Sequence, residues 1–178
     1  MRQVVASLLV LFSSVCHASM VWSGVAVDPK LIGQLKSDEK FLVKTILTSP
    51  KENSVDLDKA WHGIHFLLTG SAEPNGSLAS KVIMGGEDIG PHLGYGPAQL
   101  LTVQEVRDIA NLLQTETPDK LAARYEPAAL ARAGIYPDVI WEREKQAALD
   151  YVIKYYKDLI TFYSNVAAKG YVVVFALH

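Results

Sequence analysis

The chain predicts a mixed α/β (α+β) domain. A small central sheet includes the N- and C-terminal strands, several helices pack on it, and the longest helix lies near the C-terminus. Three observations carry this expectation. Residues 171–177 are apolar at every position, the pattern of a strand buried on both faces and therefore central. Residues 141–168 carry apolar side chains every three or four positions, as a long amphipathic helix does. Residues 21–27 are small, apolar and β-branched, which makes a second strand at the opposite end of the chain. At 178 residues there is material for one domain with a proper core but not for two large ones.

In order, Asp28-Pro29 opens a helix, with Asp as cap, Pro in the first turn and Leu31, Ile32 and Leu35 as its apolar face. Phe41, Leu42, Ile46 and Leu47 space a second short helix, ended before Pro50. Residues 51–54 read as a polar loop. A helix follows through Trp61 and His65, capped by Asp56 or Asp58 and stopped by Gly70. Residues 71–77 are rich in turn formers, and 79–84 read as a short strand or extended segment. Residues 85–97 hold five glycines and two prolines, which predicts a long irregular loop, a feature often tied to function.

Thr102 and Glu105 form a capping box, and Val106, Ile109, Ala110 and Leu113 continue at helical spacing. Thr117-Pro118 and Glu126-Pro127 start two more helices, the second stopping at Gly134. Ile135-Tyr136-Pro137 is an extended break. In the long helix Leu149, Val152, Tyr156, Leu159, Tyr163 and Val166 make the buried stripe, with Lys154, Lys157 and Asp158 turned to water. Lys169-Gly170 closes it, a cation and then a residue suited to the left-handed cap.

The first eighteen residues have the form of a signal peptide: Arg2, an apolar run over residues 4–15, then Cys16-His17-Ala18 with cleavage expected after Ala18. The run is too short to span a bilayer, which takes about 20 residues. Two rivals are a lipid anchor on Cys16, for which Val15 and Ser13 are poor neighbours, and a true start at Met20. Cleavage removes the one cysteine, so the mature chain has neither disulfide nor thiol nucleophile. The expected location is periplasmic or secreted, or cytoplasmic if Met20 is the start.

Apolar residues are 49 % and charged residues 20 %, a globular balance. The net charge of −2, with no run of five Lys or Arg, gives no footprint for nucleic acid or for an anionic membrane surface. Without Arg2 the balance is 16 basic against 19 acidic residues. No membrane span is expected after signal cleavage. Asn75-Gly76-Ser77 reads as a turn before it reads as a glycosylation site.

Few groups offer chemistry. His62 and His65 lie one turn apart, and a metal would need a third ligand from Glu87, Asp88 or His92; the spacing fits no zinc motif, and neither metal nor cofactor is expected. The Asp56/Asp58 and Glu87/Asp88 pairs read as caps and as a solvated acidic pair. The tyrosines of the long helix read as core wall. No nucleophile elbow, phosphate loop, dinucleotide fingerprint or Cys-x-x-Cys occurs.

Trp61-His62-Gly63-Ile64-His65-Phe66-Leu67-Leu68-Thr69-Gly70, then Gly94-Tyr95-Gly96-Pro97-Ala98, then Ile135-Tyr136-Pro137 before the long helix, together resemble the YfbM-like family of bacterial proteins, a domain of unknown function. The resemblance runs from about Met20 to the C-terminus. It implies a single compact α/β domain over 19–178 and no established activity, cofactor or catalytic residue. The family's familiar members begin near Met20, so the leader is a departure.

The reading that follows is a binding module for a partner protein, in the manner of an inhibitor or immunity protein, or for a small polar ligand. Its expected cleft lies between the Trp61/His65 helix and the glycine-rich segment, with Trp61, His65, Glu87, Asp88, His92, Tyr95 and Gly96 as candidate residues. Two alternatives are a hydrolase or transferase using His65 as base with a loop carboxylate, and a scaffold in which these residues only hold the fold.

Overall fold

A computed structural model of the chain describes residues 19–178; the expected leader and Cys16 lie outside them. Five strands form one antiparallel sheet: β1 (Trp22–Val27), β2 (Ser54–Asp56), β3 (Glu87–His92), β4 (Pro97–Leu101) and β5 (Val172–Leu177), in the order β2-β1-β5-β4-β3. The all-apolar β5 is the central strand, as the sequence requires. It pairs with β1 along its whole length, from Trp22 opposite Leu177 to Val27 opposite Val172. The strands nearest the two chain ends thus lie side by side.

Two layers of helix cover the sheet. On one face sit α1 (Ile32–Ser37), entered through a single 3-10 turn capped by Asp28, and α2 (Glu39–Thr48), capped by Asp38. Leu35, Leu42 and Ile46 there meet Val25, Val27, Val172, Val174, Ala98 and Leu100. On the other face pack α3 (Trp61–Thr69), α4 (Leu78–Lys81), α5 (Val103–Thr115), α6 (Pro118–Ala123), α7 (Pro127–Arg132), α8 (Trp141–Glu144) and α9 (Gln146–Lys169). Alternate residues of one strand serve both layers: Val173 and Phe175 of β5 point to the larger core, Val174 and Ala176 to the smaller one.

The 24 residues of α9 run about 36 Å at 1.5 Å each, long enough to cross the sheet. Its stripe is Ala148, Val152, Tyr156, Leu159, Phe162, Tyr163 and Val166, all buried; Leu149 is only half-buried, one position off that stripe. The capping box of α5 and the left-handed Gly170 cap of α9 form as read. Gly63 is set by close approach: a Cβ there would lie 2.7 Å from the ring of Trp141 and 3.2 Å from Val152, so α3 can nest against α8 and α9 only without a side chain.

Several local expectations need correction. Residues 85–97 are not an irregular loop but the larger part of a hairpin, β3–β4, with a bulge between Ile89 and His92. Its signal was the alternation of Ala98, Gln99 and Leu100, with Ile89 buried opposite Ala98, and the glycines masked it. Residues 78–81 are a helical turn capped by Ser77 rather than a strand. Residues 54–56 pair with β1 as a short edge strand. The long terminal helix is broken at Lys145, where φ is +46°. Neither aspartate caps α3: Ala60 is its first flanking residue, Asp56 accepts from the Asp58 amide at 2.6 Å, and Asp58 accepts from the Tyr151 hydroxyl at 3.0 Å. A tight turn at Asp58 (φ +47°) takes the Asp56 carboxylate, and Tyr151 of α9 takes that of Asp58.

Candidate functional site

The Trp61–His65 turn builds a closed joint. Trp61 stacks on His62 with ring centres 4.7 Å apart and on Tyr136 at 6.2 Å. Its indole N–H donates to the Met20 carbonyl at 3.2 Å, and the Met20 amide donates to the Tyr136 hydroxyl at 3.3 Å. The backbone entering β1 is therefore held by two aromatic side chains. His62 Nδ1 accepts from the Tyr136 amide at 3.0 Å, so its Nε2 carries the proton that is donated to the Ala72 carbonyl at 2.9 Å. These partners fix a neutral ring in one tautomer. A proton on Nδ1 would face an N–H.

His65 lies deeper, with no exposed surface. Its Nε2 donates to the Glu73 carbonyl at 3.3 Å, and its buried Nδ1 has no hydrogen-bond partner. Burial lowers the pKa of both histidines from the usual value, because the protonated ring would lose its water. Among the described residues no carboxylate bonds to His65, and it lines none of the cavities described below, an arrangement that suits the scaffold reading of this side chain. Trp61, only 4 % exposed, is equally closed. Neither borders an open cleft; both hold α3 to its neighbours.

The hairpin is a different environment. On the larger face α5 and α9 pack on β5 and α9 on β2, while the main helix contacts of β3 are with α1 and α2 on the other face, which leaves a bay over the hairpin. A cavity of about 530 Å³ occupies that bay. Phe175 and Leu177 form its floor, Ile83 and Met84 one wall, Tyr95 and Gly96 the other, and Asp88 and Gln99 its polar edge. The Gln99 amide donates to Asp88 at 2.9 Å while its oxygen accepts from the Gly85 amide at 2.9 Å, which ties the edge strand to the segment entering it. Gly86, at φ +148°, is a position where a Cβ would lie 2.9 Å from the Leu100 carbonyl oxygen, so the backbone hugs β4 there.

Of the candidate residues, the structure brings Asp88, Tyr95 and Gly96 to this bay. Glu87 points to the opposite face, where it pairs with Lys36 at 2.6 Å, and exposed His92 ends the edge strand. Gln99, Met84, Gly86 and Phe175 were not singled out from the sequence; the polar Gln99 between buried Ala98 and Leu100 was the signal available. Among the described residues, no group of three or more His, Cys, Asp or Glu is arranged to hold a metal, and no helix is long and apolar enough to cross a membrane.

Sheet, helix layers and bay define a class: an α+β fold with a central five-stranded antiparallel sheet and a ligand-sized hollow over its edge hairpin. The chain belongs to the family described as a domain of unknown function, DUF1877, whose model matches residues 19–176. It is similar in structure to YfbM of Escherichia coli, described as a protein of unknown function. The TM-score is 0.72 at 22 % identity, over 89 % of this chain and 100 % of that one, a likeness of fold. No curated protein matches the chain.

Proposed function

We propose that this domain is a binding module and that its site is the bay over β3–β4, taking a small polar ligand or a side chain from a partner protein. One observation carries the reading: the bay is a hollow of ligand size with an apolar floor and one carboxylate positioned by Gln99. Its volume falls within the roughly 300–1,000 Å³ of small-molecule sites. An apolar floor with few polar groups at one rim suits a ligand that is apolar along its body and polar at one end. Asp88 supplies an acceptor, so the polar end is a donor, preferably an amine or guanidinium.

The test is a thermal-shift screen of small amines, amides and amino-acid derivatives against the wild type, Asp88→Asn and Gln99→Ala, each first checked for an unchanged melting temperature. An amine that raises the wild-type midpoint and not that of Asp88→Asn supports the reading. A screen in which every hit acts alike on all three proteins overturns it.

Export belongs to the same proposal. Cleavage after Ala18 would leave Ser19 as the first residue of a thiol-free protein in the periplasm or the medium. N-terminal sequencing of the protein recovered from each cell fraction tests this. A chain retained in the cytoplasm and beginning at Met20 contradicts it.

A further inference from the structure

The bay does not end at Tyr95. That residue also lines a second hollow of about 590 Å³, whose walls include Lys59, Tyr136 and Asp138. Lys59 in turn lines a third, of about 160 Å³, with Pro137, Ile140, Glu144 and Tyr151. The three follow one another around a single end of the sheet, where β1 begins, β5 finishes and the hairpin turns. Backbone bonds hold that end together: Val21 donates to His178 at 2.9 Å and Tyr95 to Leu177 at 3.4 Å. With the Trp61–Tyr136 joint behind it, the groove has a fixed floor.

Each of the two large hollows carries one aspartate, Asp88 in the first and Asp138 in the second. Glu144 of the third is paired with Arg143, and Lys59 stands where the second and third hollows meet, lining both. Tyr95, 42 % exposed, stands between the two aspartates. We infer that this groove receives an extended peptide segment of a partner protein, with one Lys or Arg entering the bay toward Asp88 and a second entering the next hollow toward Asp138, the peptide crossing over Tyr95. The inference rests on the bay being a binding site and adds the class of ligand. Opposite charge at two points sets register, and separated hollows accept alternate side chains of an extended chain.

The probes are fluorescein-labelled seven-residue alanine peptides carrying one Lys, two Lys at separations of one to four positions, or two Glu. Binding is read by anisotropy at low and at physiological salt. The inference expects one two-Lys spacing to bind better than the single-Lys peptide and the Glu peptides not to bind. Asp138→Asn should weaken that two-Lys peptide about two- to five-fold, the size of an exposed charge pair, and leave the single-Lys peptide unchanged. Asp88→Asn should weaken both, and salt should shrink every difference. Two-Lys binding no better than single-Lys, or unaffected by Asp138→Asn, overturns the extended groove while the bay reading stands on its own amine screen. Equal binding of the Lys and Glu peptides overturns the charge argument altogether.

Discussion

The α3 joint and the hairpin bay lie in one small domain and use their residues in opposite ways. In the joint, Trp61, His62, Tyr136 and the Nε2 of His65 bond backbone groups of the same chain, and His65 is sealed from solvent with its Nδ1 unpartnered. In the bay, Asp88 and Tyr95 stand at the surface, and Gln99 ties the Asp88 carboxylate to the Gly85 amide. An aromatic beside an imidazole looks like a site in sequence, yet here it is a clamp. A glycine-rich stretch looks like a mobile loop, yet here it is a pleated edge whose outer face was left unroofed.

Mutation should separate the two regions sharply. Trp61→Ala removes a buried indole, its bond to Met20 and two ring contacts. It should cost about 3–5 kcal/mol in urea denaturation, as large aromatic truncations do. A loss under about 1 kcal/mol would mean the joint is not a clamp. Gly63→Ala comes next: its Cβ would lie 2.7 Å from the Trp141 ring, and overpacking of that kind costs about 1–3 kcal/mol. An unchanged midpoint would show that α3 and α8 slide apart freely.

The joint should also respond to acid. Folding lowers the pKa of His62 and His65 through burial, so the unfolded chain binds protons more readily than the folded one. Their contribution to stability is complete above the unfolded value of about 6.5 and is lost as pH falls through that value toward the folded ones. The urea midpoint should drop between about pH 7 and pH 5. In a His62→Gln/His65→Gln variant that slope should flatten although the protein is weaker at every pH. An equally steep slope in the variant would place the acid sensitivity elsewhere.

The bay should hardly register in stability. Asp88→Asn removes one charge at an exposed edge and should shift stability by no more than about 0.5 kcal/mol. Lys36→Ala, which breaks the exposed pair with Glu87 on the opposite face, should do about as little. Should Asp88→Asn prove as costly as the joint variants, the carboxylate is structural and the contrast between the two regions fails.

Legibility followed the range of the forces. The caps of α5 and α9 and the proline starts of α6 and α7 depend on neighbours within a turn, and they stand where the residues put them. The Asp56/Asp58 cap failed because a nearer turn claimed Asp56 and the distant Tyr151 claimed Asp58. The hairpin failed because β3 is stabilised by β4 and by Leu42 beneath it, partners that local glycine content does not reveal. In the candidate site, Asp88, Tyr95 and Gly96 were visible as polar or glycine residues of one stretch. Met84 and Gln99 flank that stretch, but Phe175 reaches the same hollow from β5, far along the chain, which no spacing rule connects.

The order of hydrophobic runs by itself determined that β5 would be central and that α9 would lie along a core, because a surface apolar on all sides must be covered on all sides. Which polar groups face water was decided only by the tertiary structure. The segment after α3 and the break at Tyr136 close over His65 and half-bury His62, while the edge position of β3 leaves Asp88 out, and exposure is a property of what lies above a side chain rather than of the side chain.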